Sequence, residues 1–162
     1  MSGRELIEKL LPHRPPMLLV DELAEVVPSE RLTARMTVTG REPCFAGSDP
    51  QGPFPPVLLI ESWCQAAGVL VTWDSPNPDV LTGDVMLFGG MTGLRILAPV
   101  RPGDTVEHEV RAVRLFGDSA VVEGRSTVGG ATVMTVGSVI MARRPAQELQ
   151  RPDADPVTQE EA

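Results

Sequence analysis

Residues 42–65 read EPCFAGSDPQGPFPPVLLIESWCQ, in which a loop rich in glycine and proline runs directly into a long apolar segment. The apolar segment contains one acidic residue, Glu61, and Gln65 follows it four positions later. Residues four apart lie on the same face of a helix, so Glu61 and Gln65 point in the same direction. Because a carboxylate is costly to bury without a partner, Glu61 is the first candidate for a functional residue.

The apolar segment predicts a helix over residues 55–73, since proline is accepted in the first turn and the Ser-Pro-Asn-Pro run at 75–78 ends it. This helix is apolar almost all round and is therefore expected to be buried on most sides. Around it the sequence predicts a short first helix and then strands at 17–27, 31–40, 85–100, 105–115, 120–128 and 132–143. The short links predict an α+β fold in which about six antiparallel strands wrap one central helix.

Composition predicts an ordinary soluble domain, because 42% of the 162 residues are hydrophobic and 22% are charged. The net charge of −8 argues against general binding to nucleic acid or to an anionic membrane. No metal or nucleotide motif occurs, so no cofactor is expected. The charged N-terminus does not resemble a signal peptide, and we expect a cytoplasmic protein. The domain is predicted at 1–144, followed by an acidic, disordered tail at 145–162.

Five motifs along the chain carry a family resemblance. They are LPHRPPMLLVD at 11–21, EPCFAG at 42–47, ESWCQA at 61–66, MLFGG at 86–90 and VRPGD at 100–104. In this order and spacing they resemble the hotdog-fold 3-hydroxyacyl-ACP dehydratases of the FabZ type, from about residue 10 to about residue 143. The resemblance implies a hotdog fold, with the sheet wrapped around the central helix.

The resemblance also implies a chemistry that needs three groups around one acyl chain. A loop histidine removes the α-proton of a β-hydroxyacyl thioester carried by an acyl carrier protein. A helix carboxylic acid of the other subunit, here Glu61, assists departure of the hydroxyl, and a backbone N–H polarises the carbonyl. The positions that the resemblance proposes for substrate binding are Gln65, Val57, Phe54, Phe88 and Gly89.

The sequence departs from this pattern at two of the three groups. Counting forward through the loop places Ser48 where the family has its histidine, whereas counting back from Glu61 places Gly47 there. Pro56 stands where the family has the glycine that donates its N–H, and proline has no N–H to donate. The amide of Val57 remains as a substitute if the helix start shifts.

Four side chains near or outside this loop have their own interpretations. Asp49 can act as a base if burial raises its pKa, but its place before Pro50 favours a plain turn. His13 belongs to the first motif, where we expect a structural hydrogen bond. His108 lies on a strand between two glutamates and is expected at the surface, while Trp63 is expected to face a dimer partner.

The preserved carboxylate and the missing histidine predict a subunit of a heteromeric dehydratase from a polyketide, polyene or related fatty-acid pathway. Glu61 would then complete a site whose histidine comes from a related partner, with a homodimer as the alternative assembly. Two other functions stay open. In the first, the chain is a non-catalytic acyl-binding scaffold, and in the second it is a thioesterase with Glu61 as general base.

Overall fold

The computed structural model of the chain describes residues 3–47, 49 and 51–149. Its helices are α1 (Gly3–Leu10), α2 (Pro56–Thr72) and α3 (Ala146–Leu149), and a single 3₁₀ turn spans Pro43–Phe45. The strands are β1 (Glu22–Val27), β2 (Arg31–Thr37), β3 (Asp84–Thr92), β4 (Arg95–Ile96), β5 (Thr105–Phe116), β6 (Ser119–Val128) and β7 (Ala131–Pro145).

The strands form one antiparallel sheet in the order β1-β2-β5-β6-β7-β3, and the short β4 pairs with β7. Helix α2 packs across this sheet against β2, β5 and β6. The predicted α+β fold with a central helix is therefore confirmed. The sheet has seven strands because the predicted strand at 85–100 is divided at Gly93, whose φ of 65° turns the chain between β3 and β4.

The buried face of the sheet follows the alternation that the sequence predicts. In β2, Leu32, Ala34 and Met36 are buried and alternate with more exposed neighbours. The predicted strand at 17–27 is shorter, because only Glu22–Val27 pairs with β2. The preceding residues Leu18, Leu19 and Val20 are buried core residues outside the strand.

Trp63 lies in the core between α2 and the sheet, so the expectation that it faces a partner subunit is wrong. Its side chain is fully buried, and its Nε1–H donates a hydrogen bond of 3.1 Å to the carbonyl oxygen of Glu109. The indole packs over Gly124, where a Cβ atom would lie 3.0 Å from Trp63 Cζ2 and 2.0 Å from the Glu109 oxygen. Only glycine fits at this point, and its missing side chain makes room for the tryptophan.

His108 is fully buried, so the prediction of a surface position is wrong. Its Nε2 lies 2.9 Å from Ser62 Oγ on α2, and its Nδ1 lies 2.8 Å from Ser126 Oγ on β6. The Ser62 hydroxyl also donates to the carbonyl oxygen of Leu59. Both ring nitrogens are thus satisfied inside the core, and burial lowers the pKa of His108 to about 3.

The buried imidazole predicts an acid-sensitive fold. In the unfolded chain His108 binds a proton near pH 6.5, whereas in the folded chain it stays neutral down to about pH 3. The free energy of unfolding should therefore fall as pH drops through this window, by up to about 1.4 kcal/mol per pH unit from this residue. Urea unfolding of the wild type and His108→Gln between pH 7 and pH 4 measures it. We expect the advantage of the wild type to shrink with acidity, and a constant difference would contradict the prediction.

The described chain continues past the predicted domain boundary at residue 144. Strand β7 ends at Pro145, and the following Ala146 is buried and donates its N–H to the carbonyl oxygen of Gly83 at 2.8 Å. Residues 150–162 lie outside the described residues, so the disordered tail stays a prediction. No helix among the described residues has the length and apolar character needed to cross a membrane.

Candidate active site

A cavity of about 490 Å³ runs along α2 and contains the carboxylate that the sequence singles out. Its walls are mainly apolar and come from three parts of the chain. The segment after α1 supplies Leu11 and Met17, α2 supplies Ile60, and β3 supplies Met86 and Phe88. An elongated apolar cavity with few polar groups suits an acyl chain better than a charged or sugar-like ligand.

Glu61 and Gln65 share one face of α2, as their spacing predicts, and both line the cavity. The side-chain Nε2–H of Gln65 donates to Glu61 Oε1 at 2.9 Å and to the carbonyl oxygen of Met17 at 2.7 Å. Its Oε1 accepts the N–H of Leu19 at 2.9 Å. Protein groups therefore engage the Gln65 amide on three sides, and its contact with a substrate stays a prediction.

His13 is a candidate site residue that the sequence analysis did not place in the site. Its Nε2 lies 3.3 Å from Glu61 Oε1, the same oxygen that Gln65 holds, and the imidazole lines the cavity. Its Nδ1 is buried and has no hydrogen-bond partner among the described residues. The predicted hydrogen-bonding role of His13 is thus directed at the carboxylate itself. Its place in the first motif signalled importance, but no spacing rule connects it with Glu61.

The surroundings of Glu61 favour its ionised form. The contact with His13 is the largest influence on its pKa, and this contact, together with the Gln65 hydrogen bond, lowers that pKa against the opposing effect of burial. Cys64 lines the same cavity, where burial, with the nearby Glu61 charge, raises the pKa of its thiol to about 12. A neutral thiol is a poor nucleophile, so Glu61 is the stronger candidate for a reactive group on this face of α2.

At the start of α2, Val57 offers a backbone amide close to where the family has its N–H-donating glycine. Pro56 is the first residue of the helix and has no N–H, and the amides of Leu58 and Leu59 donate to the Pro55 carbonyl oxygen at 3.0 and 3.2 Å. The amide of Val57 meets no acceptor within the part of the chain that the structure describes. Val57 is exposed and lines the cavity. Its N–H is thus the first one at this helix end that can donate a hydrogen bond to a carbonyl oxygen.

The loop before α2 supplies no base among its described residues. Asp49 is exposed, its side chain accepts the N–H of Gln51 at 2.9 Å, and its carbonyl oxygen accepts the N–H of Gly52 at 2.9 Å. This is the plain turn that the sequence favoured. Ser48 lies outside the described residues. Gly47 has a φ of 76° and no side chain that could exchange a proton.

The three remaining predicted substrate-binding positions do not all line the cavity. Phe88 is half-exposed and lines the cavity. Gly89 occupies a β-bulge between β3 and β7, as predicted, and is not part of the cavity wall. Phe54 is a buried core residue whose ring centroid lies 6.3 Å from that of Phe45, away from this cavity. Of these three, only Phe88 lies where an acyl chain could touch it.

No group of three or more His, Cys, Asp or Glu suited to a metal ion occurs among residues 3–47, 49 and 51–149. The candidate site therefore consists of Glu61, its two neighbours His13 and Gln65, and the Val57 amide at the mouth of an apolar cavity.

Comparison with known sequences identifies the family. The sequence model of the FabA-like domain matches residues 11–137. The chain is 41% identical over 128 residues to the 3-hydroxyacyl-[acyl-carrier-protein] dehydratase FabZ of Anaeromyxobacter dehalogenans, covering 78% of this chain and 81% of that relative. It is 38% identical over 141 residues to FabZ of Teredinibacter turnerae, covering 83% of this chain and 95% of that relative.

Solved structures show the same fold at low sequence identity. The dehydratase heterocomplex ApeI:P from Xenorhabdus doucetiae aligns with a TM-score of 0.73 and 18% identity over 88% of this chain and 93% of that chain. The fluoroacetyl-CoA thioesterase FlK aligns with a TM-score of 0.59 and 16% identity over 79% of this chain and 99% of that one.

The seven-stranded sheet around one helix is a hotdog fold, as the motifs predicted. The chain belongs to the FabZ-type dehydratase family, whose FabA-like domain spans most of its length.

Proposed function

We propose that this chain is a subunit of a 3-hydroxyacyl-ACP dehydratase and supplies Glu61 to an active site that a histidine-bearing partner completes. The observation that carries the proposal is the Glu61 carboxylate in a mainly apolar cavity, together with a loop that lacks the family's histidine. The relatives at about 40% identity are named as dehydratases of this substrate class, which supports the same substrate here.

His13 does not replace the missing histidine. Its Nε2 is occupied by Glu61, and its Nδ1 is a buried atom, so neither ring nitrogen is available to a substrate. We therefore infer that the second proton-transfer group, on the other side of the acyl chain, comes from a partner subunit.

The free side of β3 supports an association with a related subunit. Strand β3 ends the sheet and pairs on one side with β7, and no other strand pairs with its outer side among the described residues. An unpaired strand edge is a template for pairing with another chain. Phe88 on this strand is half-exposed and lines the cavity, so a subunit that paired here would also cover the cavity.

The proposed reaction breaks one C–H and one C–O bond and forms a C=C bond. The partner's histidine takes the proton from the carbon next to the thioester carbonyl, and Glu61 gives a proton to the hydroxyl, which leaves as water. The Val57 amide holds the carbonyl oxygen as negative charge develops. Covering the cavity removes water from Glu61 and raises its pKa, which favours the protonated form that this step needs. Solvent then returns the proton to Glu61 and removes it from the histidine.

The test is a dehydration assay of this chain alone and after co-expression with a related subunit that carries the loop histidine. We expect a stable complex that converts 3-hydroxyacyl-ACP to the 2,3-unsaturated thioester, and little activity of either subunit alone. Full activity of this chain alone, or no complex with any such subunit, would contradict the proposal.

One observation favours a thioesterase as the second candidate. Glu61 is held in its ionised form in the isolated chain, which suits a general base that activates water. Release of free thiol from an acyl thioester by this chain alone, lost in Glu61→Gln, would favour this function over dehydration.

A further inference from the structure

We propose that His13 is a positioning residue for Glu61: with Gln65 it holds Oε1 and leaves Oε2 as the oxygen that exchanges a proton with the substrate. The inference deepens the proposed function and rests on it for the identity of the substrate. It gives the first sequence motif, at residues 11–21, a direct effect on the reacting carboxylate. The loop and helix motifs do not reveal this effect.

The geometry of the carboxylate is the first argument. His13 Nε2 and Gln65 Nε2 lie 3.3 and 2.9 Å from the same atom, Glu61 Oε1. No other hydrogen bond to this carboxylate occurs among the described residues, so Oε2 remains free on a side chain that lines the cavity. Two donors on Oε1 make that oxygen an acceptor only, and a proton bound by Glu61 then sits on Oε2.

The two ring nitrogens of His13 give the second argument. Its Nδ1 is buried without a partner, and a buried N–H without an acceptor costs more than an unused lone pair on the same atom. The proton of the neutral imidazole therefore belongs on Nε2, where it faces Glu61. This tautomer makes His13 a hydrogen-bond donor to the carboxylate.

The chain on both sides of His13 keeps the ring in place. The Arg14 guanidinium donates hydrogen bonds of 2.9 and 2.8 Å to the carbonyl oxygens of Leu11 and His13. Gln65 binds the carbonyl oxygen of Met17 and the N–H of Leu19, so the segment is fixed to α2 just beyond the histidine. Gln65 thus orients the carboxylate directly and also anchors the segment that carries the second donor.

Of the titratable groups around Glu61, His13 is the one that contacts its carboxylate. Cys64 on α2 lines the cavity beside Glu61, and its thiol is neutral because burial, with the nearby Glu61 charge, raises its pKa to about 12. The Arg14 charge is turned to backbone carbonyls. Asp84 on β3 and Arg143 on β7 also line the cavity. Both lie at the end of the cavity near Thr72, which is three turns of helix beyond Glu61. The Arg143 guanidinium donates to the Val71 carbonyl oxygen.

A pair of variants that differ by one methylene group tests the proposal. His13→Gln can place its amide nitrogen near the position of Nε2, whereas the side chain of His13→Asn is too short to reach Glu61. The readout is the titration of the Glu61 carboxyl carbon by NMR in the purified chain, which needs neither partner nor activity. We expect the midpoint to rise by about one pH unit in His13→Asn and to return toward the wild-type value in His13→Gln. An unchanged midpoint in His13→Asn would overturn the proposal.

The wild-type chain provides a second measurement that no folding defect can obscure. Nitrogen NMR of His13 should show a protonated Nε2 and an unprotonated Nδ1 at neutral pH, and the opposite tautomer would overturn the proposal. In the assembled enzyme we expect His13→Asn to lower kcat with little change in KM, and His13→Gln to recover part of kcat. If the NMR results hold but no partner gives dehydration, the positioning role stands and the proposed function fails.

Discussion

Glu61→Gln is expected to lower the dehydration rate of the assembled enzyme by about 10²- to 10⁴-fold, the range that general acid–base groups contribute. Glutamine keeps the size of the side chain and can still bond to Gln65, but it cannot exchange a proton. Binding of the acyl chain should change little, since most of the cavity wall is apolar. The measurement is the rate of formation of the unsaturated thioester by the complex of this chain with its histidine-bearing partner.

Glu107→Gln is the matched control for this substitution. Glu107 lies on the outer face of β5 and forms an ion pair with Arg35, with its side chain 37% exposed. The same loss of charge there should leave the rate unchanged. If Glu61→Gln is as active as the wild type, Glu61 is only hydrogen-bonded in place and the chain is a non-catalytic scaffold of the complex.

Trp63→Ala is expected to lower the free energy of unfolding by about 3–5 kcal/mol, the usual cost of truncating a large aromatic side chain in a core. The indole fills the space over Gly124 and donates to the Glu109 carbonyl oxygen, so its removal leaves a cavity and removes this hydrogen bond. Urea unfolding of the purified chain at pH 7 measures the change. Because this measurement does not depend on activity, it separates the effect on stability from the effects of the catalytic substitutions.

Two further variants separate the contributions of the indole. Trp63→Phe keeps most of the buried area and removes the N–H donor, so its cost should be clearly smaller than that of Trp63→Ala. Trp73→Ala removes a tryptophan that is only partly buried at the end of α2, and should also cost less. A loss below about 1 kcal/mol in Trp63→Ala would contradict the packing described for this residue.

The main elements of the fold could be predicted because their signals are local. The apolar run, stopped by the Ser-Pro-Asn-Pro segment at 75–78, predicts α2. The alternation in residues 31–37 predicts β2 with the correct face inward. Chain turns at glycines are harder to place, and the division of the predicted strand at Gly93 depends on its φ of 65° in the finished structure.

His108 shows where reading by residue type alone misleads. Its place between Glu107 and Glu109 suggested the surface, but it shares the strand face of the buried Val106 and Val110. The alternation of β5 was the better guide, because a polar ring can be buried when both nitrogens find partners. Those partners, Ser62 and Ser126, come from other elements and cannot be recognised from the neighbours of His108.

Three features of the site can be read from the residues alone: Glu61 and Gln65 share a helix face, the loop has no histidine, and Pro56 removes one amide donor. These facts follow from helix geometry and from residue chemistry within a few positions. The contact of His13 with Glu61 Oε1 and the hydrogen bonds by which Gln65 joins the two segments emerge only in the folded chain. The physical reason is that such contacts depend on packing between distant segments, whereas no local spacing rule encodes which side chains packing brings together.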